Sequence, residues 1–194
     1  MTPTEPQRRK FAVIGSGVIG GGWAARFLLN GWDVAVFDPH PDVRQRIGEV
    51  LDNARMSLPS LADVAMPREG TLSFAASLQE AVDGADWIQE SVPEELAVKH
   101  QVVADIEAHA GDDAIIASST SGFKPSELQQ GARDPGKIIV AHPFNPVYLL
   151  PLVEVVTSDR SSPSFVKEAC DTLASVGFEP LRVRKEIDAH LADR

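Results

Sequence analysis

Glu154 follows His142 by twelve positions, in the segments Ala141-His142-Pro143-Phe144-Asn145-Pro146 and Pro151-Leu152-Val153-Glu154-Val155-Val156. An imidazole held by a carboxylate makes a general base: the carboxylate fixes the tautomer and stabilises the imidazolium once a proton arrives. Near the start of the chain lies Gly15-Ser16-Gly17-Val18-Ile19-Gly20. In a turn of this pattern the first glycine permits a tight exit from a strand, the second lets the backbone approach a pyrophosphate, and the third lets the following helix pack closely. The helix start adds amide donors and a partial positive charge for the phosphates. A proton acceptor and a dinucleotide turn in one chain point to an alcohol losing hydride to a nicotinamide and its hydroxyl proton to a histidine.

Further residues fit that chemistry. Asp38 follows Gly20 by eighteen residues, at the end of the next apolar run. A carboxylate there accepts hydrogen bonds from the adenosine ribose hydroxyls and repels a 2′-phosphate. No Arg or Lys follows in Asp38-Pro39-His40-Pro41, so NAD is expected rather than NADP. FAD is disfavoured, because nothing obvious in the chain would receive an isoalloxazine. In Gln89-Glu90-Ser91-Val92-Pro93-Glu94, Ser91 and Glu94 are expected to flank the nicotinamide ribose, with Lys99 one turn along the next helix. Ser118-Ser119-Thr120-Ser121-Gly122 sets hydroxyls at another strand end, where Ser121 and His142 could both reach a substrate hydroxyl. His40, His100, His109 and His190 read as surface residues, Cys170 as a packing residue on an amphipathic helix, and no cluster has the spacing of a metal site.

These residues need a scaffold that brings strand ends to one edge. Short apolar runs at 11–15, 32–38, 71–74, 85–90, 113–118 and 137–141 alternate with helical patterns through Val18, Trp23, Phe27 and Leu28, then over 42–58 and 94–108. Buried strands alternating with helices predict an α/β fold of the Rossmann type: a doubly wound, mostly parallel sheet covered on both faces. Strands at 152–157 and 178–183 around a helix at 164–176 extend the same sheet. Residues 58–70, with two prolines and a glycine, read as an irregular connection. Residues 1–185 are expected to form the nucleotide-binding domain. Residues 186–194 read as a helix beginning without a stop signal, leading towards a domain absent from this chain.

The 194 residues suffice for one such domain with a substantial core. A single cysteine excludes an internal disulfide and fits a reducing compartment. The formal charge of -10 and the lack of basic runs argue against nucleic acid and anionic membrane as partners. The polar start and the short run at 11–14 match no signal peptide, and no apolar stretch approaches membrane-spanning length, so a soluble cytoplasmic protein is expected.

Taken together, the glycine turn, the 89–99 segment, the 118–122 hydroxyls, His142-Pro143-Phe144-Asn145-Pro146 and the 151–155 segment resemble the nucleotide-binding domain of the 3-hydroxyacyl-CoA dehydrogenase superfamily. The resemblance runs from Phe11 over nearly the whole chain. It implies NAD as cofactor, His142 as general base, Glu154 as its partner, Ser121 at the reacting oxygen and Asn145 as a support. It also implies a helical C-terminal domain, missing here, that closes the substrate pocket and forms a homodimer. Where the family has Asn before Arg, this chain has Asp193 before Arg194. Ser121 to Leu128, 142–151 and Val183-Arg184-Lys185-Glu186 are most similar to the branch that oxidises L-carnitine at C3. The coenzyme A enzymes carry a lysine-rich stretch after the second strand, whereas residues 42–60 here offer only Arg44, Arg46 and Arg55. L-Gulonate, another 3-hydroxy acid, a 3-hydroxyacyl-CoA, or a non-catalytic crystallin-like role in NAD binding all remain compatible with these residues. For a carnitine-like substrate, Phe123, Phe144 and Tyr148 are candidates to face a quaternary ammonium, and Lys124 a carboxylate.

Overall fold

The computed structural model describes residues 9–191. Eight strands form one sheet: β1 (Lys10–Ile14), β2 (Asp33–Phe37), β3 (Leu72–Phe74), β4 (Trp87–Glu90), β5 (Ile115–Ser118), β6 (Ile138–Pro143), β7 (Leu152–Val156) and β8 (Glu179–Val183), in the order β3-β2-β1-β4-β5-β6-β7-β8. Strands β1 to β6 are parallel to their neighbours; β7 runs antiparallel to β6, and β8 parallel to β7. The chain winds outward from β1 to β3, then crosses to β4 and winds the other way. That reversal leaves a crevice at the carboxyl ends of β1 and β4, where ligands of open α/β sheets bind.

Six helices cover the sheet: α1 (Val18–Leu29), α2 (Val43–Ser57), α3 (Leu78–Val82), α4 (Leu96–His109), α5 (Pro125–Leu128) and α6 (Pro163–Ser175). Alternate strand residues sort into two cores, as the period of two requires. Phe11, Val13, Trp87, Ala117, Ala141 and Val155 pack with α1, α2 and α6. Ala12, Ile14, Ile88, Ile116, Val140 and Val156 pack with α3, α4 and α5. Strands buried on both faces read as continuous apolar runs, which is why the parallel sheet is legible in the sequence.

The first core is aromatic directly behind the nucleotide turn. Phe27 stacks on Phe11 with ring centroids 3.9 Å apart, meets Trp32 edge-on at 5.1 Å, and lies 6.0 Å from Trp87. Arg26, buried on the same helix, donates from Nε to the Val176 carbonyl (2.8 Å) and from Nη1 to that of Tyr148 (3.1 Å), and lies over the Phe178 ring. It thereby pins α1 to the segment that leads into β8. Burial lowers its basicity, and carbonyl acceptors and a ring face replace the lost water.

Residues 58–70 are mostly irregular, opening with a 3-10 turn at Leu58–Leu61. The helix expected to begin at Glu186 does not form there: residues 184–190 are bends and irregular chain, and 192–194 lie outside the described residues. Ala189 adopts a left-handed φ of 45°, which interrupts helical geometry. The Glu186 side chain instead accepts from the Ser126 amide (2.6 Å). This tertiary hydrogen bond, sixty residues away in sequence, competes with helix formation, and here it wins.

Candidate active site

The turn after β1 is built to the tolerance of its glycines. Gly15 has a φ of 92°, and a Cβ there would fall 2.5 Å from the Ser91 carbonyl oxygen. A Cβ on Gly20 would lie 1.9 Å from the Gly15 carbonyl oxygen, so α1 can start where it does only with glycine. A Cβ on Gly17 would meet nothing within 4 Å: this glycine borders open space at the start of α1, where an approaching phosphate needs backbone without a side chain. Val18, the first helical residue, is largely exposed at that opening, and Ile19 is partly buried against the first core.

Asp38, just beyond β2, closes the cradle. Its Oδ2 accepts from the Ser16 amide (2.7 Å) and the Ser16 hydroxyl (2.8 Å), and its Oδ1 from the His40 amide (2.8 Å). Burial pushes this carboxyl up, but those hydrogen bonds and the nearby His40 outweigh it and hold it below the ordinary value. A carboxylate has about four acceptor positions. Three are in use, and the remaining one, with the exchangeable Ser16 hydroxyl, suits a sugar diol.

Across the crevice, the end of β4 carries a buried charge cluster. Lys99, only 1% exposed, donates to Glu90 Oε1 (2.8 Å) and lies 3.2 Å from Glu94 Oε2. Glu90 also accepts from the Val92 amide (2.8 Å) and from the Ser118 hydroxyl. Glu94 accepts from the Thr120 hydroxyl and from the Gly122 amide (3.0 Å). Burial alone would raise the Glu94 carboxyl, but Thr120, Gly122 and Lys99 together hold it below its ordinary value. Lys99 thus faces its own carboxylates, and Glu94 spans from the β4 loop to the hydroxyl loop after β5.

Ser119 is the hub of that loop. It accepts from Trp23 Nε1 (3.1 Å) and Gln89 Nε2 (2.8 Å), so its own proton is directed to Ser91 Oγ, 2.8 Å away. Ser121 stands exposed at the apex of the loop, and Asn145 is exposed in the loop after β6.

His142 and Glu154 are register partners across the antiparallel β6–β7 pair, so their side chains rise on the same face. His142 Nδ1 lies 2.9 Å from Glu154 Oε2; Glu154 is 1% exposed and His142 9%. A carboxylate only accepts, so this bond puts the proton on Nδ1. Phe144 tilts against the imidazole at 5.8 Å. Phe123 and Tyr148 instead pack against the two cores, and Lys124 pairs with Asp188.

His190 is not the surface residue its sequence context implies. It is fully buried, its ring centroid lies 5.1 Å from that of His142, and its Nε2 donates to the Thr120 carbonyl (2.9 Å). Thr120, Ser119, Glu90 and His190 are the site residues that the motif reading does not single out. For Glu90 a signal exists, an acid closing an apolar strand with a lysine nine residues on; for His190 none does. His100 is half-buried, held to the Glu127 carbonyl (2.7 Å), while His40 and His109 are surface groups. Among the described residues no group of three or more His, Cys, Asp or Glu could hold a metal ion.

Comparison with known proteins agrees with this architecture. Residues 10–187 match the family described as 3-hydroxyacyl-CoA dehydrogenase, NAD binding domain. A Ruegeria pomeroyi protein named L-carnitine dehydrogenase/betainyl-CoA thioesterase is 63% identical over 94% of this chain and 38% of its own length. A Mesorhizobium japonicum protein named L-carnitine dehydrogenase is 50% identical over 95% of this chain and 51% of its own length. The chain therefore spans about two fifths to a half of these relatives. Among solved structures, a 5-formyl-3-hydroxy-2-methylpyridine 4-carboxylic acid 5-dehydrogenase, described as an NAD+-dependent dismutase, superposes with a TM-score of 0.88 at 31% identity, covering 96% of this chain and 61% of that one. The glycine cradle, the sheet reversal and the matched span agree: this chain belongs to the 3-hydroxyacyl-CoA dehydrogenase family, as its NAD-binding domain.

Proposed function

We propose that the protein oxidises the C3 hydroxyl of L-carnitine to 3-dehydrocarnitine with NAD. The observation that carries the reaction is the His142–Glu154 pair, held at the sheet edge that also carries the nucleotide cradle. The names of the relatives at 63% and 50% identity support the substrate. Bound NAD supplies the hydride acceptor. His142 Nε2 takes the hydroxyl proton as the C3–H bond gives up its electron pair, and the C–O bond becomes a carbonyl. Glu154 stabilises the imidazolium, Ser121 holds the reacting oxygen and Asn145 supports the loop beside it. Gly15, Ser16, Gly17, Val18, Ile19 and Gly20 hold the pyrophosphate, Asp38 the adenosine ribose, and Ser91 and Glu94 the nicotinamide ribose, with Lys99 steadying Glu94 from its buried pair with Glu90.

Coenzyme A is disfavoured because the arginines of the 42–60 segment are already engaged. Arg44 lies over Phe74 at 4.5 Å, Arg46 reaches His40 (3.1 Å), and Arg55 pairs with Glu69 (2.6 Å). Phe144, beside the catalytic imidazole, is the aromatic face best placed for the ammonium group. Within this reading residues 1–185 are the NAD-binding domain and 186–194 the passage to a C-terminal domain, and the complete protein is a cytoplasmic homodimer. NADH formation by the complete protein from L-carnitine, L-gulonate and 3-hydroxybutyryl-CoA tests the proposal. Turnover with L-carnitine at the highest kcat/KM is expected; preference for either competitor overturns the substrate, and normal NAD binding without turnover of any leaves a crystallin-like binder.

A further inference from the structure

Two indoles set the direction of a buried hydrogen-bond chain behind the nucleotide turn. An indole N–H only donates. Trp87 Nε1 therefore commits Gln89 to accept through Oε1 (2.9 Å), and this turns the Gln89 amide nitrogen towards Ser119 Oγ (2.8 Å). Trp23 Nε1 donates to the same Ser119 oxygen (3.1 Å). Trp23, Trp87 and Gln89 are all fully buried, so the polarity of the chain is set by protein groups and not by bulk water.

A hydroxyl has two acceptor positions and one proton. Both acceptor positions of Ser119 are filled, so its contact with Ser91 Oγ (2.8 Å) runs in one direction, from Ser119 to Ser91. Ser91 receives that bond, which leaves its own proton to be donated elsewhere. A serine hydroxyl with no imposed direction rotates to suit its neighbour; one that already accepts from behind is preorganised to donate in front.

Ser91 sits where such a donor meets a dinucleotide. It directly follows β4, and its amide donates to the Ile14 carbonyl at the end of β1 (2.8 Å). A Cβ on Gly20 would lie 3.3 Å from that of Ser91, so the residue borders the glycine turn. This is the crevice at the sheet reversal, where the two halves of a dinucleotide meet.

We propose that Ser119 is a positioning residue that makes Ser91 a committed hydrogen-bond donor to an oxygen of the nicotinamide ribose of NAD. Ser119 acts through Ser91 and does not touch the cofactor. The assignment rests on the reading that places Ser91 at that ribose, and it needs no particular substrate.

Equilibrium titration of the complete protein with NAD and with ADP tests it. ADP keeps the adenosine and both phosphates but lacks the second ribose. Ser91→Ala and Ser119→Ala are each expected to weaken NAD roughly 3- to 10-fold, the worth of one hydrogen bond, and to leave ADP unchanged. The double variant should bind NAD no more weakly than Ser91→Ala alone, because the second loss acts only through the first. Additive losses, or an equal loss for ADP in Ser119→Ala, would mean a structural role and overturn the proposal. A loss in Ser91→Ala with none in Ser119→Ala also overturns it, while leaving Ser91 at the ribose. Unchanged NAD affinity in Ser91→Ala removes Ser91 from the ribose and the proposal with it, whereas absence of L-carnitine turnover in the wild type overturns only the substrate assignment. Ser119→Ala strands two buried donors. If it fails to fold, Ser119→Cys, whose thiol accepts and donates weakly, carries the same comparison with a smaller loss expected.

Discussion

His142 and Glu154 face each other across the one antiparallel seam among the described strands, whose other neighbours run parallel. The seam matters because strands that run in opposite directions can return through a short loop and place two side chains directly opposite. His142 and Glu154 are therefore fixed by backbone hydrogen bonding, and neither depends on a flexible loop for its position. His142→Ala is expected to lower turnover roughly 100- to 10,000-fold with NAD affinity near the wild-type value. Glu154→Gln keeps the volume but removes the carboxylate that selects the Nδ1–H tautomer, and should also cost roughly 100-fold or more in kcat. Steady-state kinetics together with NAD titration would check both, and a loss of NAD affinity parallel to the loss of kcat would contradict the assignment.

In the proposed reading Asp38 governs cofactor choice. Its carboxylate is ionised by design, held below its ordinary value despite partial burial. Asp38→Ala should weaken NAD and narrow the preference over NADP, because the charge that repels a 2′-phosphate is gone. Comparing kcat/KM for the two cofactors in wild type and variant measures this; an unchanged ratio would show that another group discriminates.

The glycines of the cradle separate fold from function. Gly20→Ala drives a Cβ into the Gly15 carbonyl, backbone against backbone, and should destabilise the domain by about 1–3 kcal/mol or prevent folding. Gly17→Ala places its methyl in open space, so the melting temperature should stay within a few degrees of wild type while NAD binding weakens severalfold or more. Thermal melts with and without NAD distinguish the two, the expected result for Gly17→Ala being an unaltered apo melt with a reduced shift on adding cofactor.

Acid sensitivity follows from the two depressed carboxyls, Asp38 and Glu94. A group whose folded pKa lies below its unfolded value stabilises the fold fully above the unfolded value, and this contribution is lost as pH falls through the folded one. The ordinary values are 3.8 and 4.5, so the loss should begin near those and continue below them. Urea unfolding between about pH 5 and pH 3 should show a falling midpoint. The Asp38→Asn and Glu94→Gln variants should each show a shallower fall, and a slope equal to wild type in both would remove these groups as the cause.

Much of this protein is written locally. Strands buried on both faces have to be apolar throughout, and helices between them have to show a helical period, so the order of elements follows from the sequence with boundaries off by a residue or two. The three glycines and Asp38 are equally legible, because each answers a constraint within one β-turn-α-β unit. His142 and Glu154 can be paired because the loop between them is short enough to fix their register.

What the sequence leaves open lies at contacts between distant segments. Ser119 meets Trp23 from ninety-six residues away and His190 meets Thr120 from seventy; nothing in either local context encodes the partner. Lys99 reads as a group that reaches towards the cofactor, yet burial between Glu90 and Glu94 commits it to them, since an ammonium taken out of water needs its counter-charges close by. The 186–194 segment has the composition of a helix start, but over residues 186–190 the tertiary bonds of Glu186, Asp188 and His190 to the loops above the sheet draw it into an irregular path. Local propensity amounts to tenths of a kcal/mol per residue, whereas a buried hydrogen bond left unmade costs about 1–3 kcal/mol. Sequence alone therefore determined the sheet, the cradle and the pairing of His142 with Glu154; the tertiary structure decided which loop residues surround that pair.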